Sequence, residues 1–356
     1  MQESHLEILR CPITGSKLQL QTIATGKKSF SNIETAIILE GILWADHGLF
    51  YPVIEAVPRL IPEAIIDYEN FLRIHVPDFD ERKQLINKDY LNLISYAFKK
   101  NKRTKESFAF EWSFFRYNED KTWDAGLTGM LNRFLRETDE SKETIKGKLI
   151  FDVGCGNGVL DILLGGLGAS VLAMDLSKSI VKANEKNNDA NVFFVQGDVQ
   201  FPPVPKESFD IVQCSGILIH TNNTESSFAV IEPSVKRNGK LSVWLYHPRK
   251  DFLHNIFNSI RNVTSRLPLK VQYYLYLFTL FPLSFIIKRI KGNKQNAREM
   301  MVNILDWFTP QYRWEHEHDE VEGWFEKRGY KNVKITTDEL FGFNITGEKA
   351  PVDIAD

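Results

Sequence analysis

The chain has 356 residues, 43% hydrophobic and 25% charged, a composition typical of a soluble globular protein with two or three compact units. Its 44 basic and 46 acidic side chains nearly cancel, which excludes an overall field that draws a protein onto nucleic acid or phospholipid. The cysteines Cys11, Cys155 and Cys214 form no disulfide-like framework, and the charged N-terminus lacks the apolar core of a signal peptide. We therefore expect a cytoplasmic protein.

Residues 1–64 contain short β-like segments interrupted by prolines and predict a small β-rich module. Residues 65–147 follow as a helical linker that precedes the core. Within this linker, the basic run KKNKRTK at residues 99–105 is most simply interpreted as a solvated loop. Because no aromatic or motif context accompanies the run, we do not expect a nucleic-acid partner.

Residues 148–248 have the most regular pattern in the chain. Short apolar runs alternate with helix-like stretches, and the runs are GKLIFDV, SVLAMDL, NVFFVQGD, SFDIVQCS and GKLSVWLY. Continuous apolar strands that alternate with helices indicate a parallel sheet covered on both faces. The sequence therefore predicts an α/β fold with a doubly wound, mostly parallel sheet.

Residues 249–317 depart from this alternation and predict a helical insertion that caps the core. Residues 271–287 are mostly apolar and are followed by Lys288, Arg289, Lys291 and Lys294. One interpretation is a buried helical cap over the sheet edge, which is the simpler one because buried helices of this length are common. The other is a helix pair that rests on a membrane through residues 271–294, with its basic residues toward the headgroups. Residues 318–356 predict a helix and a β-hairpin that complete the core.

A glycine-rich turn joins the first strand of the core to its helix, in the stretch IFDVGCGNGVLDILL. Glycine permits positive φ and lets a ligand lie against the backbone, so a turn at the carboxyl end of this strand borders the ligand crevice. A dinucleotide-binding turn has the spacing G-x-G-x-x-G, whereas here Val159 stands where its third glycine belongs. Asp152 before the turn suits a cationic ligand better than a phosphate.

Two more acids end the next two strands of the core. Asp175 follows the second strand, where a carboxylate can accept both hydroxyls of a ribose. Asp198 follows the third strand and is placed to accept a hydrogen bond from an adenine amino group. S-adenosylmethionine combines adenine, a ribose with free hydroxyls and a cationic amino acid, and it has no phosphate. The sequence therefore predicts this cofactor.

FDVGCGNGVL, VLAMDLS, FVQGDV and FDIVQCSGILIHT together resemble the successive motifs of class I S-adenosylmethionine-dependent methyltransferases of the type 11/12-like group. The resemblance implies a seven-stranded, Rossmann-like sheet with one antiparallel strand. It also implies that the glycine turn lines the methionine end of the cofactor, that Asp175 binds the ribose, and that Asp198 and Val199 bind the adenine. The implied cofactor site comprises Asp152, Gly154, Gly156, Asn157, Gly158, Asp175, Leu176, Asp198, Val199 and Gly216.

The stretch SFAFEWSFF at residues 107–115 resembles a segment that precedes the glycine turn in many of these enzymes. This likeness adds Trp112 to the cofactor site, because the rings of Phe110 and Trp112 could close over the cofactor. Core packing by the same two rings is the alternative.

The N-terminal module resembles the small zinc-ribbon-like proteins that activate tRNA and protein methyltransferases. Those proteins often carry two C-x-x-C pairs, but here only Cys11 remains of the first pair, and Thr14 stands at its partner position. Trp44 and His47 occupy the positions of the second pair. Since two ligands cannot close a four-coordinate zinc site, we expect a metal-free packing or substrate-recognition element.

Methyl transfer is a direct displacement, and only a hydroxyl or carbon-acid acceptor needs a base. His220, in a stretch that resembles GVLHHT-type sequences of the family, is the candidate catalytic base; cofactor contact or a backbone hydrogen bond are its alternatives. His247, Tyr312 and His316 are candidates for the acceptor pocket. His316 and His318 cannot share one helical face and lack a third ligand, so no metal is expected.

The sequence thus predicts methyl transfer from S-adenosylmethionine to a small-molecule, sugar or lipid-linked acceptor, and the apolar insertion favours a large or greasy one. Methylation of RNA or protein is a second hypothesis. The near-neutral charge argues against RNA as the substrate. A non-catalytic cofactor-binding or scaffold protein is a third.

Overall fold

The computed structural model describes residues 1–113, 126–249, 251–290, 292 and 295–351. Within these residues one mixed sheet of eleven strands forms the centre of the molecule. The strands are β1 (Gln19–Phe30), β2 (Ile33–Trp44), β3 (Phe50–Ile54), β4 (Val57–Leu60), β5 (Leu149–Val153), β6 (Ser170–Asp175), β7 (Val192–Gly197), β8 (Phe209–Ser215), β9 (Val235–Tyr246), β10 (Tyr330–Asp338) and β11 (Gly342–Lys349).

The helices cover both faces of this sheet and its carboxyl edge. In chain order they are α1 (Ala64–Asp67), α2 (Glu69–His75), α3 (Phe79–Ser113), α4 (Leu127–Glu137), α5 (Val159–Gly166), α6 (Ser179–Lys186), α7 (Thr224–Ile231), α8 (Phe252–Thr264), α9 (Leu269–Phe278), α10 (Leu280–Ile290), α11 (Ala297–Phe308) and α12 (His318–Glu326). Helices α4 to α7 alternate with strands β5 to β9, as the apolar pattern of the sequence predicts, except that among the described residues no helix separates β7 from β8.

The strand order is β1-β2-β3-β4-β7-β6-β5-β8-β9-β11-β10. Strands β7, β6, β5, β8 and β9 are parallel, and β11 runs antiparallel between β9 and β10. The order of the strands reverses at β5, whose neighbours are β6 on one side and β8 on the other. A reversal of this kind opens a crevice at the carboxyl ends of the strands, which is where ligands bind in open α/β sheets.

The sheet is larger than the predicted seven strands because the N-terminal strands continue it. Strand β4 pairs in parallel with β7, with Arg59 opposite Gln196 and Leu60 opposite Gly197. Every residue of β4 and of β7 is buried. An apolar edge strand left open would expose unpaired backbone groups, so β4 and the hairpins beyond it cover the edge of β7.

The predicted solvated loop at residues 99–105 is wrong, because these residues lie in the long helix α3. Lys100 Nζ lies 2.9 Å from Asp198 Oδ2, and Lys105 Nζ lies 2.8 Å from Glu63 Oε1. Both acids are buried. The basic side chains in this run therefore hold α3 against the carboxyl edge of the sheet.

The insertion consists of helices α8 to α11. Helix α9 buries Gln272 and Tyr276, whereas no residue of α10 is buried, so the interpretation as a buried cap fails for α10. In the described part of the chain no single helix has the length and apolar character to cross a membrane. Helices α9 and α10 reach this length and apolar character only when taken together, and the two helix axes are bent by 46° relative to each other.

Candidate functional site

A cavity of about 680 Å³ lies at the carboxyl ends of the parallel strands, a volume within the range of small-molecule sites. Its floor is formed by the ends of β5 to β9 and the turns that follow them. Helices α3 and α4 supply one set of walls, and α10 and α11 of the insertion supply another. The residues of α3, α10 and α11 on the cavity are Lys100, Asn101, Thr104, Phe108, Lys288, Asn303, Asp306 and Trp307.

The glycine turn after β5 has the backbone that only glycine adopts easily. Gly154 has φ +91°, and a Cβ there would lie 2.2 Å from Cγ1 of Ile217. Gly158 has φ +71°, and a Cβ there would lie 2.6 Å from the ring of Phe194. Gly154 borders the cavity, whereas Gly158 does not, so the predicted ligand contact of Gly158 is replaced by close packing where α5 begins.

Asp152, at the end of β5, is buried and lies close to the buried Asp161 of α5, whose two carboxyl oxygens have no hydrogen-bond donor among the described residues. Burial raises the pKa of Asp152 to about 7, and the charges of Asp175 and Glu137 act in the same direction. Burial and the charge of Asp152 raise the pKa of Asp161 well above its usual value. Two buried carboxyl groups this close to each other disfavour double ionisation, so the pair favours holding a proton.

Asp175, at the end of β6, is a buried acceptor that ties two turns together. Its Oδ2 accepts from Gly156 N at 3.1 Å, and its Oδ1 accepts from both N and Oγ of Ser177 at 2.7 Å. Burial raises the pKa of Asp175 although these three donors act to lower it. The structure therefore joins the glycine turn to the second strand end through this carboxylate.

Asp198 follows β7 and has partners that the sequence did not indicate. Its Oδ2 accepts from Lys100 Nζ at 2.9 Å and from Asn101 Nδ2 at 2.8 Å, while its Oδ1 accepts from Gln200 N at 2.9 Å. Lys100 and Asn101 stand nearly a hundred residues earlier in the chain, so no local pattern could have paired them with Asp198.

The remaining predicted cofactor residues divide into three groups. Asn157, Leu176, Val199 and Gly216 line the cavity together with Asp152, Gly154, Gly156, Asp175 and Asp198. The side chain of Trp112 lies outside the described residues. Phe110 packs edge to face on Tyr273 with ring centroids 5.7 Å apart and is not a cavity residue, which agrees with the core-packing alternative; Phe108 lines the cavity instead.

A polar wall between α4 and the ends of β8 and β9 was missed by the sequence reasoning. Arg133 Nε donates to Glu137 Oε1 at 2.5 Å, and Gln213 Nε2 donates to Glu137 Oε2 at 3.0 Å. The guanidinium of Arg133 lies 5.3 Å from the ring centroid of Trp244. Gln213 Oε1 and Trp244 Nε1 are buried without a hydrogen-bond partner in the described part of the chain. The available signal was a polar residue, Gln213, inside an apolar strand.

His220 lines the cavity, and its ring packs edge to face on the rings of Phe108 and Tyr246. Its Nδ1 lies 2.8 Å from the carbonyl oxygen of Tyr312. Because a carbonyl only accepts, Nδ1 carries the hydrogen and Nε2 has a lone pair. Burial lowers the pKa of His220 to about 4, so the ring is neutral near neutral pH.

The three predicted acceptor residues do not meet at the cavity. Tyr312 lines it, and its carbonyl orients His220. His316 lies outside it, because its ring nitrogens bond Glu320 Oε1 at 3.0 Å and Thr224 Oγ1 at 2.9 Å. His247 also lies outside, where its Nε2 bonds the carbonyl oxygen of Glu339 at 2.8 Å. The structure thus brings only Tyr312 of the three to this cavity.

The cavity end near His220 is aromatic, and a buried cation, Arg313, lies behind its rings. Arg313 lies with its guanidinium carbon 4.1 Å from the ring centroids of both Tyr246 and Trp307. Tyr246 and Trp307 line the cavity, and so does Phe341. This arrangement fixes the two rings in place through cation–π contacts and leaves a largely apolar pocket.

In the N-terminal strands, the positions of the missing zinc ligands are filled by hydrogen bonds. Thr14 and Ser16 donate to Asp46 Oδ1 at 2.5 and 2.7 Å, and Cys11 Sγ lies 3.4 Å from Tyr51 Oη. Across the described ranges no cluster of three or more His, Cys, Asp or Glu side chains has a geometry suited to a metal ion.

Residues 151–243, about a quarter of the chain, match the family model described as a methyltransferase domain. The chain contains a methyltransferase domain. This domain contains the parallel strands β5 to β9 that the sequence predicts, and the match supports the prediction of a methyltransferase for this part of the chain.

The chain is 30% identical over 131 residues to the mitochondrial ubiquinone biosynthesis O-methyltransferase of Schizosaccharomyces pombe, an alignment that covers 33% of this chain and 47% of that protein. It is 30% identical over 105 residues to the ubiquinone biosynthesis O-methyltransferase of Coxiella burnetii, covering 29% and 45%. The chain thus spans about half the length of the relatives it matches. Among solved structures it is similar to the magnesium protoporphyrin IX methyltransferase of Synechocystis, with 14% identity, coverage of 70% and 100%, and a TM-score of 0.41.

Proposed function

We propose that the chain transfers the methyl group of S-adenosylmethionine to a hydroxyl of a small, amphipathic acceptor. The observation that carries this proposal is the common cavity at the strand ends, which brings Asp152, Asp175 and Asp198 together with His220. The cofactor supplies a methyl group activated by a positively charged sulfur. The protein's own residues bind and orient the reactants, exclude water and accept the proton.

The nucleoside half of the cofactor fits the edge formed by the ends of β6 and β7. Asp175 and Leu176 stand at the first of these ends, and Asp198 and Val199 stand at the second. A carboxylate has about four acceptor positions, so the three donors on each acid still leave it capacity for a ribose hydroxyl or an amino group.

The amino-acid half fits the polar wall next to the glycine turn. Trp244 Nε1 and Gln213 Oε1 are a donor and an acceptor without protein partners in the described residues, and such buried atoms each cost about 1–3 kcal/mol when left unpaired. A carboxylate can accept from Trp244 and pair with Arg133, while an ammonium group can donate to Gln213 and be attracted by Asp152. A zwitterionic amino acid supplies both groups.

The acceptor fits the aromatic end of the cavity, where His220 is the candidate base. The hydrogen bond from Nδ1 to Tyr312 fixes the tautomer, so that Nε2 has a lone pair for the acceptor's proton. The pKa of about 4 keeps this nitrogen unprotonated at neutral pH but makes it a weak base. It therefore suits an acidic hydroxyl, such as a phenol, better than an alcohol.

The class of acceptor is supported by the names of the relatives, which are ubiquinone biosynthesis O-methyltransferases. An acceptor of this class combines a hydroxylated ring with an apolar chain, which corresponds to the aromatic pocket and to the apolar insertion beside it. The competing hypotheses are methylation of a sugar, of RNA or of a protein, and a role without catalysis. The cytoplasmic location stays a prediction.

The proposal is tested by incubating the protein with methyl-labelled S-adenosylmethionine and with separate lipid, aqueous, RNA and protein fractions of a cell extract. We expect label in the lipid fraction, in a product that resists mild base as a methyl ether does. Label in RNA or protein would replace the proposal with the second hypothesis. Cofactor binding by calorimetry without label in any fraction would support a non-catalytic role.

A further inference from the structure

The insertion differs from the rest of the chain in charge. Residues 252–298 contain eight Lys or Arg residues and no Asp or Glu, a net charge of +8 against −10 for all other residues together. The near-neutral total therefore hides one strongly basic segment. A segment of this kind is attracted to a negatively charged surface, by about 1 kcal/mol for each basic residue close to an anionic membrane.

The same segment exposes an unusual amount of apolar surface. Helices α8, α9 and α10 each turn an apolar stripe outward, with residues spaced by three, four or seven positions and hence on one side of each helix. We call these stripes the apolar face. It consists of Phe252, Ile256, Val263, Val271, Tyr274, Leu275, Phe278, Leu283, Ile286, Ile287 and Ile290, all of them exposed.

The inner side of the insertion is anchored to the protein. Tyr276 Oη donates to Thr264 Oγ1 at 2.7 Å, and Gln272 Nε2 donates to the carbonyl oxygen of Leu267 at 2.7 Å. These bonds hold α9 against the end of α8. The axis of α10 then bends by 46° from the axis of α9. Buried polar anchors and a bend suit helices that lie on a surface better than a pair that crosses a bilayer.

The insertion also forms part of the cavity wall. Lys288 of α10 and Asn303, Asp306 and Trp307 of α11 line the cavity, while Ile286 and Ile290, two positions from Lys288 and so on the opposite side of α10, belong to the apolar face. Helix α10 therefore separates the cavity on its inner side from the apolar face on its outer side, by the width of one helix.

We propose that the apolar face binds the surface of an anionic lipid bilayer and places the cavity beside it, so that the acceptor is a membrane-resident amphiphile. The acceptor part of this inference rests on the proposed function, whereas the docking part does not. The basic residues supply attraction to the headgroups, and the apolar stripes enter the boundary between headgroups and acyl chains.

Flotation with lipid vesicles tests the docking. The full chain is mixed with vesicles of phosphatidylcholine, with or without phosphatidylglycerol, and is compared with a triple variant, Phe278→Glu, Ile286→Glu and Ile290→Glu. A matched control, Ile33→Glu, Ile74→Glu and Leu85→Glu, changes three equally exposed apolar residues outside the insertion. Calorimetric binding of S-adenosylhomocysteine checks that each variant keeps a folded cavity.

We expect the wild type and the control to float with anionic vesicles, and the triple variant to bind them at least about tenfold more weakly. Salt at about 1 M should weaken wild-type binding, because it shortens the screening length to about 3 Å. Equal flotation of the two variants, or no flotation of the wild type, would overturn the proposal. So would a wild-type dimer that the triple variant converts to a monomer, since a second copy would then cover the face. Vesicle binding without methyl transfer would leave the docking intact and remove the proposed function.

Discussion

A single hydrogen bond determines what His220 can do. The bond from Nδ1 to the carbonyl of Tyr312 selects the tautomer, and burial keeps the ring neutral down to about pH 4. The sequence placed His220 at a strand end but gave no information on its tautomer, because Tyr312 lies 92 residues away. The same is true of Asp198, whose partner Lys100 comes from α3.

Replacing His220 by Gln should lower kcat by about 10²–10⁴-fold, since an amide cannot take up the acceptor's proton. The affinity for S-adenosylhomocysteine should change by less than about threefold. Steady-state kinetics and calorimetry measure the two effects. His247→Gln is the control and should leave kcat unchanged, because His247 lies outside the cavity; an unchanged kcat in His220→Gln would exclude His220 as the base.

The raised pKa of Asp152 predicts that the free energy of unfolding decreases as the pH rises. Between about pH 4 and about pH 7 the folded protein holds a proton on this raised carboxyl that the unfolded chain has lost, so this group's contribution to the free energy of unfolding falls as the pH rises. The loss is up to about 1.4 kcal/mol per pH unit in this window. Asp152→Asn does not titrate.

Denaturant unfolding of the wild type and of Asp152→Asn at several pH values measures this effect. We expect the variant to gain stability relative to the wild type as the pH rises through the window, and the difference to become constant above about pH 7. A difference that does not change with pH would show that Asp152 is ionised in the folded protein.

At the scale of single elements, the glycine turn was the most predictable feature, because closely spaced glycines indicate a backbone with positive φ. The helix α3 was the least predictable. Its basic run has no local sign of burial, and the acids that fix it, Glu63, Asp67 and Asp198, lie on other elements. The polarity of a run therefore did not reveal its environment, since pairing with distant carboxylates offsets much of the cost of burying an amine.

Gly154→Ala should destabilise the protein by about 2–5 kcal/mol, because the φ of +91° strains any side chain and the new Cβ would clash with Ile217. Gly323→Ala is the matched control, since Gly323 lies in α12 with open space around it and should gain up to about 1 kcal/mol from helix propensity. Chemical denaturation measures both. Equal stabilities of the two variants would contradict the geometry of the turn.

At the scale of the whole molecule, the predicted modules merge into one sheet. Alternating strands and helices were sufficient to predict the parallel core, but the pairing of β4 with β7 joins residues more than 130 positions apart and leaves no periodic trace. The exposure of α10 was likewise hidden, because an apolar helix has the same sequence pattern whether protein or another apolar medium covers it.

Leu60→Ala tests the continuity of the sheet. Leu60 is fully buried in β4 beside β7, so its truncation should cost about 2–5 kcal/mol. Because β4 belongs to the same sheet as the methyltransferase core, the single unfolding transition should move as a whole when followed by circular dichroism and by fluorescence. Two separate transitions, of which Leu60→Ala moves only one, would show that the N-terminal strands unfold independently.

The claim that the strand ends bind S-adenosylmethionine is tested most directly by a calorimetric titration with S-adenosylhomocysteine, in the wild type and in Asp175→Ala. We predict saturable binding at one site per chain, weakened at least about tenfold by the substitution because a ribose would lose a charged acceptor. Absence of binding by the folded wild type, or equal affinity of the two proteins, would contradict the account.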